Sequence, residues 1–326
     1  MKSAKMAGLY FLIWTLVACP LALHAEENDC PENDIQCWLG ALDAKGADSM
    51  RAAMALGRLQ AAEAVPGLIK KLNDEDEYMA TVAVHALVKI GFPAVSALEE
   101  ATKSKSARVR KYSGYALGRI GDGSALKAIS KLAGDPDVEV RKNAAISFGR
   151  LKDRAGILTL VGMLQDRSRG VRIEAIRALG EMPEPKTAVH LVNYGLLDMD
   201  SRIAMEAAAV LVKIGPASAE PILDKYPSSP AYAKGRMCAV LGQLWADAQP
   251  GMKKRIEDAL IRILENNDSG LKIRQSACVG LSAIGGSKII AALKKTIKDN
   301  QGKKESADLV KAAGNALTRI EGTKKK

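Results

Sequence analysis

Small and apolar residues recur along this chain at helical spacing, and the spacing itself recurs. The segments ALGRL (Ala55–Leu59), ALVKI (Ala86–Ile90), ALGRI (Ala116–Ile120), SFGRL (Ser147–Leu151) and ALGEM (Ala178–Met182) come first. VLVKI (Val210–Ile214), VLGQL (Val240–Leu244), GLSAI (Gly280–Ile284) and ALTRI (Ala316–Ile320) continue the series. The second residue of each forms a register: Leu56, Leu87, Leu117, Phe148, Leu179, Leu211, Leu241, Leu281 and Leu317. The intervals are 30 to 32 residues as far as Leu241, then 40 and 36. A period of this length marks a repeat array in which each unit buries its apolar face on its neighbours.

Three residues after each register position the side chain is apolar, from Leu59 to Ile320. Four residues before it the side chain is small in every unit but one, where Met237 stands. Positions three and four apart share one helix face, so each unit opens with a helix A that ends near the register residue. A break with Gly or Pro follows, such as Gly91-Phe92-Pro93 or Gly121-Asp122-Gly123. A second apolar helix B comes next, as in Ala64–Leu72, Ser124–Leu132 and Ala155–Leu164. The pattern predicts an all-α, right-handed α-solenoid of about nine helix pairs over residues 26–321. A capping segment is expected at 30–45, a long repeat at 245–285 and a basic disordered tail at 322–326.

Composition agrees with helices packed closely. Hydrophobic residues make up 48% of the 326 residues but aromatics only 4%, so Ala, Leu and Ile carry the core, which disfavours a β-sandwich.

The unit Asp135-Pro136-Asp137-Val138-Glu139-Val140-Arg141, continuing to Ala144-Ala145 and Phe148-Gly149, resembles the lyase-type (bilin-lyase-like) HEAT-like repeat. So does Asp166 with Val171-Arg172, Ala175 and Ala178-Leu179-Gly180. The resemblance spans roughly residues 35–321 and implies the solenoid fold. It implies no single activity, because this repeat serves many unrelated roles.

The same register organises the charges. Arg110, Arg141, Arg172 and Arg274 each stand seven residues before a register residue. Asp135, Asp166 and Asp268 stand six before three of those arginines, and Asp43, Asp74 and Asp198 fill the same slot elsewhere. An aspartate there is expected to cap helix A, and the arginine to reach an acid in the next unit, an inter-repeat ladder in the family's manner. A row that binds anions is the functional alternative. Arg58, Lys89, Arg119, Arg150, Lys213 and Arg319 follow the register by two residues, where a cation complements the helix dipole. Cys238 and Cys278 share a slot that holds Ala, Val, Gly or Ile in other units. Equivalent helices lie about 8–10 Å apart, too far for a disulfide, so both are expected to be buried free thiols.

The N-terminus reads as an export signal over residues 1–25. Lys2 and Lys5 precede the apolar run Ala7–Ala18, which is short for a membrane span. Two processing routes are open. Cleavage after Ala25 gives a soluble chain, whereas Leu16-Val17-Ala18-Cys19 resembles a lipobox that would acylate Cys19. In an oxidising compartment Cys30 and Cys37 are expected to pair. The periplasm or cell envelope of a bacterium is the implied location.

Net charge is +11. Residues 286–326 hold eleven Lys or Arg against four acids, so this end could attract an acidic partner or an anionic membrane surface. Lys294, Lys295 and Lys298 there, with Trp245 at the entrance of the long repeat, are the residues expected to touch a partner. The tail's alternative role is that of a solubilising cap.

Catalytic motifs are missing. Of the three histidines neither His85 nor His190 is followed by Glu, whereas deoxyhypusine hydroxylases of this repeat type use His-Glu pairs for iron. No Walker loop, dinucleotide fingerprint, nucleophile elbow or zinc spacing occurs. The expectation is a protein-binding scaffold along the concave solenoid surface, with no cofactor, metal or nucleic acid. A lyase- or hydroxylase-type enzyme or maturation factor, and a membrane-surface tether, are the alternatives.

Overall fold

The computed structural model describes residues 30–323. The expected signal, Cys19 and the lysines Lys324–Lys326 lie outside the described residues. The chain divides between Ala97 and Leu98 into two compact units.

The first unit holds α1 (Ile35–Leu42), α2 (Ala47–Arg58), α3 (Val65–Lys71) and α4 (Glu77–Ile90). Helix α5 (Val95–Ala101) straddles the division. The second unit continues with α6 (Ala107–Ile120), α7 (Leu126–Leu132), α8 (Val138–Leu151), α9 (Ile157–Met163), α10 (Arg169–Glu181) and α11 (Ala188–Leu191). It ends with α12 (Ser201–Ile214), α13 (Ala219–Lys225), α14 (Ala231–Leu244), α15 (Pro250–Glu265), α16 (Leu271–Ile284), α17 (Ser287–Asn300) and α18 (Ala307–Thr323). Even-numbered helices are the A helices and carry the register residues; odd-numbered helices are the B helices. Among the described residues there is no strand.

The register residues are the centre of each pair. Leu56, Leu87, Leu117, Phe148, Leu179, Leu211, Leu241 and Leu281 are fully buried, and Leu317 in the terminal helix is half-buried. The nine residues four places earlier, Ala52 through Ala313, are also fully buried. Small side chains there let neighbouring A helices approach. The residue after the register makes the seam tighter still. A Cβ on Gly57 would stand 2.7 Å from the Ala86 Cα, and one on Gly118 2.7 Å from the Ser147 Cα. On Gly149 it would stand 3.1 Å from the Ala178 Cα, and on Gly242 2.6 Å from the Gly280 Cα. Each partner is the residue just before the next register position. The ALG triplet is therefore an interlock: the glycine of one helix receives the alanine slot of the next.

Helix ends follow local chemistry. Asp76, Asp137 and Asp200 accept amide hydrogens of the first turns of α4, α8 and α12. Gly121 closes α6 in the left-handed region at φ 82°. Lys152 does the same for α8 at φ 52°, a conformation uncommon outside glycine. Short 3-10 turns lead into the B helices α3, α5, α7, α9, α11 and α13.

This corrects the expected caps. Asp74, Asp135, Asp166 and Asp198 do not cap the A helices; each accepts the amide two residues on, ahead of the helix. Asp43 closes α1 instead of opening α2. The cap sits two residues later because the first aspartate shapes the turn before it. Helix α18 runs to Thr323, so residues 322 and 323 are helical and the tail does not begin at 322. Arg319 accordingly lies inside α18 and not in its last turn. The long repeat takes its length from α15, 16 residues where α7, α9 and α13 have seven each.

Candidate partner-binding groove

A cleft lies in the first unit, on the solvent side of the A helices. It holds about 700 Å3 and is lined from α1, α2 and α4. Its floor is the interlock of Gly57 with Ala86, where no side chain longer than a methyl group stands on the seam. Met54 and His85, each two residues before its register residue, rise on either side. Val82 and Trp38 complete the apolar lining. Met54 is 49% exposed and Tyr78 is 60% exposed, so large apolar surface faces water here. Arg58 and Lys89 rim the cleft from the last turns of α2 and α4. Arg51 adds a third cation and also binds Asp48. No Asp or Glu lines the cleft.

Trp38 reaches this place through the N-terminal staple. Asp34 caps α1 by accepting the Cys37 amide at 3.0 Å. Cys30 and Cys37 are joined as a disulfide with Cα atoms 5.6 Å apart. The Trp38 indole N–H donates to the Pro31 carbonyl at 3.1 Å. These bonds hold the segment before α1 folded back against the ring.

In the second unit the equivalent surface is self-neutralising. Arg119, Arg150, Lys152 and Arg177 line a cavity of about 500 Å3 together with Glu174 and Glu181. Arg177 binds Glu206 at 2.6 Å and Glu174 at 3.0 Å, and Lys152 binds Glu181 at 3.1 Å. Arg150 lies over the Tyr115 ring at 4.3 Å and donates to its hydroxyl at 3.0 Å.

The Asp/Arg pattern forms a ladder on this unit. Arg110 grips Asp135 with bonds of 2.7 and 2.8 Å. Arg141 grips Asp166 at 2.7 and 3.0 Å, and Arg172 reaches Asp198 at 3.1 Å. Each of the later arginines also binds the carbonyl of the preceding aspartate: Arg141 that of Asp135, Arg172 that of Asp166, and Arg236 that of Asp198. Burial by itself would raise the Asp135 and Asp166 carboxyls. The arginine hydrogen bonds and the amide bonds from Asp137 and Ser168 outweigh it and hold both below the usual carboxylate range. The same bonds raise Arg110 and Arg141. With the Arg110 and Arg141 nitrogens taken up in this way, the row has structural work.

Arg274 and Asp268 depart from the expected rung. Arg274 donates to the Leu264 carbonyl at 2.7 Å and to Asn267 Oδ1 at 2.8 Å, closing its own turn. Asn266, and not Asp268, occupies the turn-shaping place, accepting the Asp268 amide at 2.9 Å. The slot that Asp135 and Asp166 fill is held by Lys304 in the next unit, and the slot of Arg110 and Arg141 is held by Lys234 in the unit before, so neither residue has the partner a rung needs.

The residues expected to meet a partner are not gathered together. Trp245 closes α14 half-buried, with its N–H on Glu257 at 3.0 Å and Lys253 over its ring at 4.6 Å. Its partners are both on α15. Lys294, Lys295 and Lys298 are exposed on α17, and Lys295 binds Glu265 at 3.1 Å. Met54 and Tyr78 belong to no sequence motif, and His85 drew attention only as a histidine without the following Glu of an iron site. Their signal was positional: large side chains on the outward slots of helices whose inward slots were already filled.

Cys238 and Cys278 are fully buried free thiols, each pushed up to about 12 by burial. Among the described residues no cluster of three or more His, Cys, Asp or Glu could hold a metal ion.

Residues 41–118, 95–169 and 126–212 match the family described as HEAT repeats. Among solved structures, the Kap95:Nup1 complex matches with TM-score 0.53 and 15% identity, over 95% of this chain and 48% of that one. Importin beta in an ammonium sulfate condition matches with TM-score 0.51 and 16% identity, over 92% of this chain and 46% of that one. The chain therefore spans about half the length of these two. The complex of CpcE and CpcF of phycocyanin lyase from Nostoc matches with TM-score 0.43 and 23% identity, over 45% of this chain and 98% of that one. At these identities the likeness is one of fold, an α-solenoid. No curated protein matches.

Proposed function

As the chain belongs to the HEAT-repeat family, we propose that it is a non-enzymatic interaction scaffold of the bacterial cell envelope. It holds a protein partner on the outward side of its A helices. The observation that carries this reading is the cleft over the Gly57–Ala86 seam, with an apolar floor and a cationic rim. Contiguous exposed apolar surface of this kind marks interaction sites. A solenoid offers many such outward slots along its repeats, and the related fold of Kap95 is found in complex with Nup1. The envelope location rests on the charged and apolar order of residues 1–25.

Crosslinking in native envelopes followed by pull-down tests the scaffold. A reproducible partner above background supports it, and consistent recovery of none overturns it. Stoichiometric iron or zinc in the purified protein would favour the enzyme reading instead. Mass spectrometry of the mature N-terminus tests the location. A start at Glu26 gives the soluble form, an acylated Cys19 the anchored form, and an unprocessed Met1 removes both.

A further inference from the structure

We infer that the groove between α2 and α4 receives an acidic peptide segment that inserts a large apolar side chain. This rests on the scaffold reading and supplies the chemistry of its partner.

The shape comes from the interlock. At Gly57 the backbones of α2 and α4 approach so closely that only the Ala86 methyl group separates them. The seam is a recessed floor, and Met54 and His85 stand above it as walls. A trough of about 700 Å3 lies within the usual range of ligand cavities. It runs between two helices, the geometry in which an amphipathic segment lays its apolar anchors into a groove.

The charge sets the sign of the occupant. Arg58 and Lys89 stand at one end of the trough, on the last turns of the two helices. No carboxylate lines the cavity. The corresponding cavity of the second unit carries Glu174 and Glu181 beside its cations, with Lys152 and Arg177 bound to them. In the first unit Arg51 is bound to Asp48, whereas Arg58 and Lys89, the cations that follow the register, have no carboxylate in the lining beside them. A carboxylate-bearing segment would complete the pattern that the second unit completes internally. A bilayer fits the site poorly, because a flat surface cannot reach a floor recessed beneath Met54 and Tyr78.

Fluorescence polarisation on the full mature protein tests this, with a labelled synthetic peptide rich in Glu and bearing Leu residues one helical turn apart. Two controls replace Glu by Lys, or Leu by Ala. The acidic Leu peptide is expected to bind, and either replacement to weaken binding about tenfold or more. The double variant R58E/K89E is expected to weaken the acidic peptide by a similar factor and to favour the Lys peptide. M54D is expected to weaken both peptides. R150E/K152E in the second unit is expected to leave acidic-peptide binding unchanged. Thermal melts followed by circular dichroism identify any variant that fails to fold. The charge swap keeps the test independent of such failures, since a gain of Lys-peptide binding requires a folded groove.

Equal binding of the Lys peptide by the wild-type chain overturns the inference. So does binding of vesicles containing phosphatidylglycerol, or of a free fatty acid, in the absence of peptide binding. The envelope pull-down separates the two levels. If R58E/K89E recovers the wild-type partner undiminished, the scaffold stands and the groove assignment falls. If the wild-type chain recovers no partner, the scaffold reading falls whatever the peptides do.

Discussion

Arg141 binds Asp166 of the following repeat through two hydrogen bonds while its remaining guanidinium nitrogen binds the Asp135 carbonyl of its own turn. Both side chains are nearly buried, at 7% and 11% exposure. Removing one partner leaves a buried charge unpaired, which costs about 3–5 kcal/mol. Arg141→Ala is therefore expected to lower the stability of the second unit by about 3 kcal/mol in urea titrations followed by circular dichroism. Lys142→Ala, which removes an exposed pair with Glu139, is expected to cost less than about 1 kcal/mol. Equal losses would show that the ladder is ornamental to stability.

The ladder also gives the protein an acid limit. The Asp135 and Asp166 carboxyls are held below 3.8 in the folded chain. The unfolded chain therefore binds protons first as pH falls. The stabilisation is complete above the unfolded value and disappears as pH drops through the lower folded values. Unfolding midpoints measured from about pH 6 down to about pH 2 are expected to fall mainly below about pH 4. Asp166→Asn is expected to begin less stable and to lose less over that range.

Glycines inside the helices divide by what a methyl group would meet. At Gly242 an added Cβ would lie 2.4 Å from the Gly280 carbonyl oxygen, a backbone atom. Gly242→Ala is expected to destabilise by about 2 kcal/mol through overpacking. Gly162 in α9 has nothing within 4 Å. Gly162→Ala is expected to stabilise by about 0.5–1 kcal/mol through helix propensity. Thermal melts of the two variants should move in opposite directions.

Cys238 and Cys278 should be silent in the native state. A thiol pushed up to about 12 and closed from solvent supplies almost no thiolate near neutrality. Iodoacetamide at about pH 8 is expected to leave both unlabelled in peptide maps until denaturant is added. Labelling of either in the folded protein would show that the packing between α14 and α16 opens readily.

The nine A helices and their B partners were legible because one short pattern repeats. An error at any single unit is corrected by the other eight. The small residues from Ala52 to Ala313 announced close packing, and all are fully buried. Detail of shorter range was harder to read. Two aspartates stand in the turns before α8 and α12, and sequence alone did not say which shapes the turn and which caps. Asp137 and Asp200 cap; Asp135 and Asp198 bind the arginine of the preceding repeat. The groove was missed for a different reason. Met54 and His85 look ordinary within their own helices, and the trough exists only where two helices stand side by side. Trp245 attracted notice as a rare aromatic, yet its indole is taken up by Glu257 and Lys253.

The interlock of a glycine with the residue before the next register position makes the junctions at Gly57, Gly118, Gly149 and Gly242 answer to the same local rule. The B helix can lengthen from seven residues to 16, as it does at α15, while Gly242 still meets Gly280 across the junction. Gene duplication that copies a unit flanked by two such glycines would therefore deliver a ready junction at both ends. Between units of that kind the number of repeats is an inheritable variable.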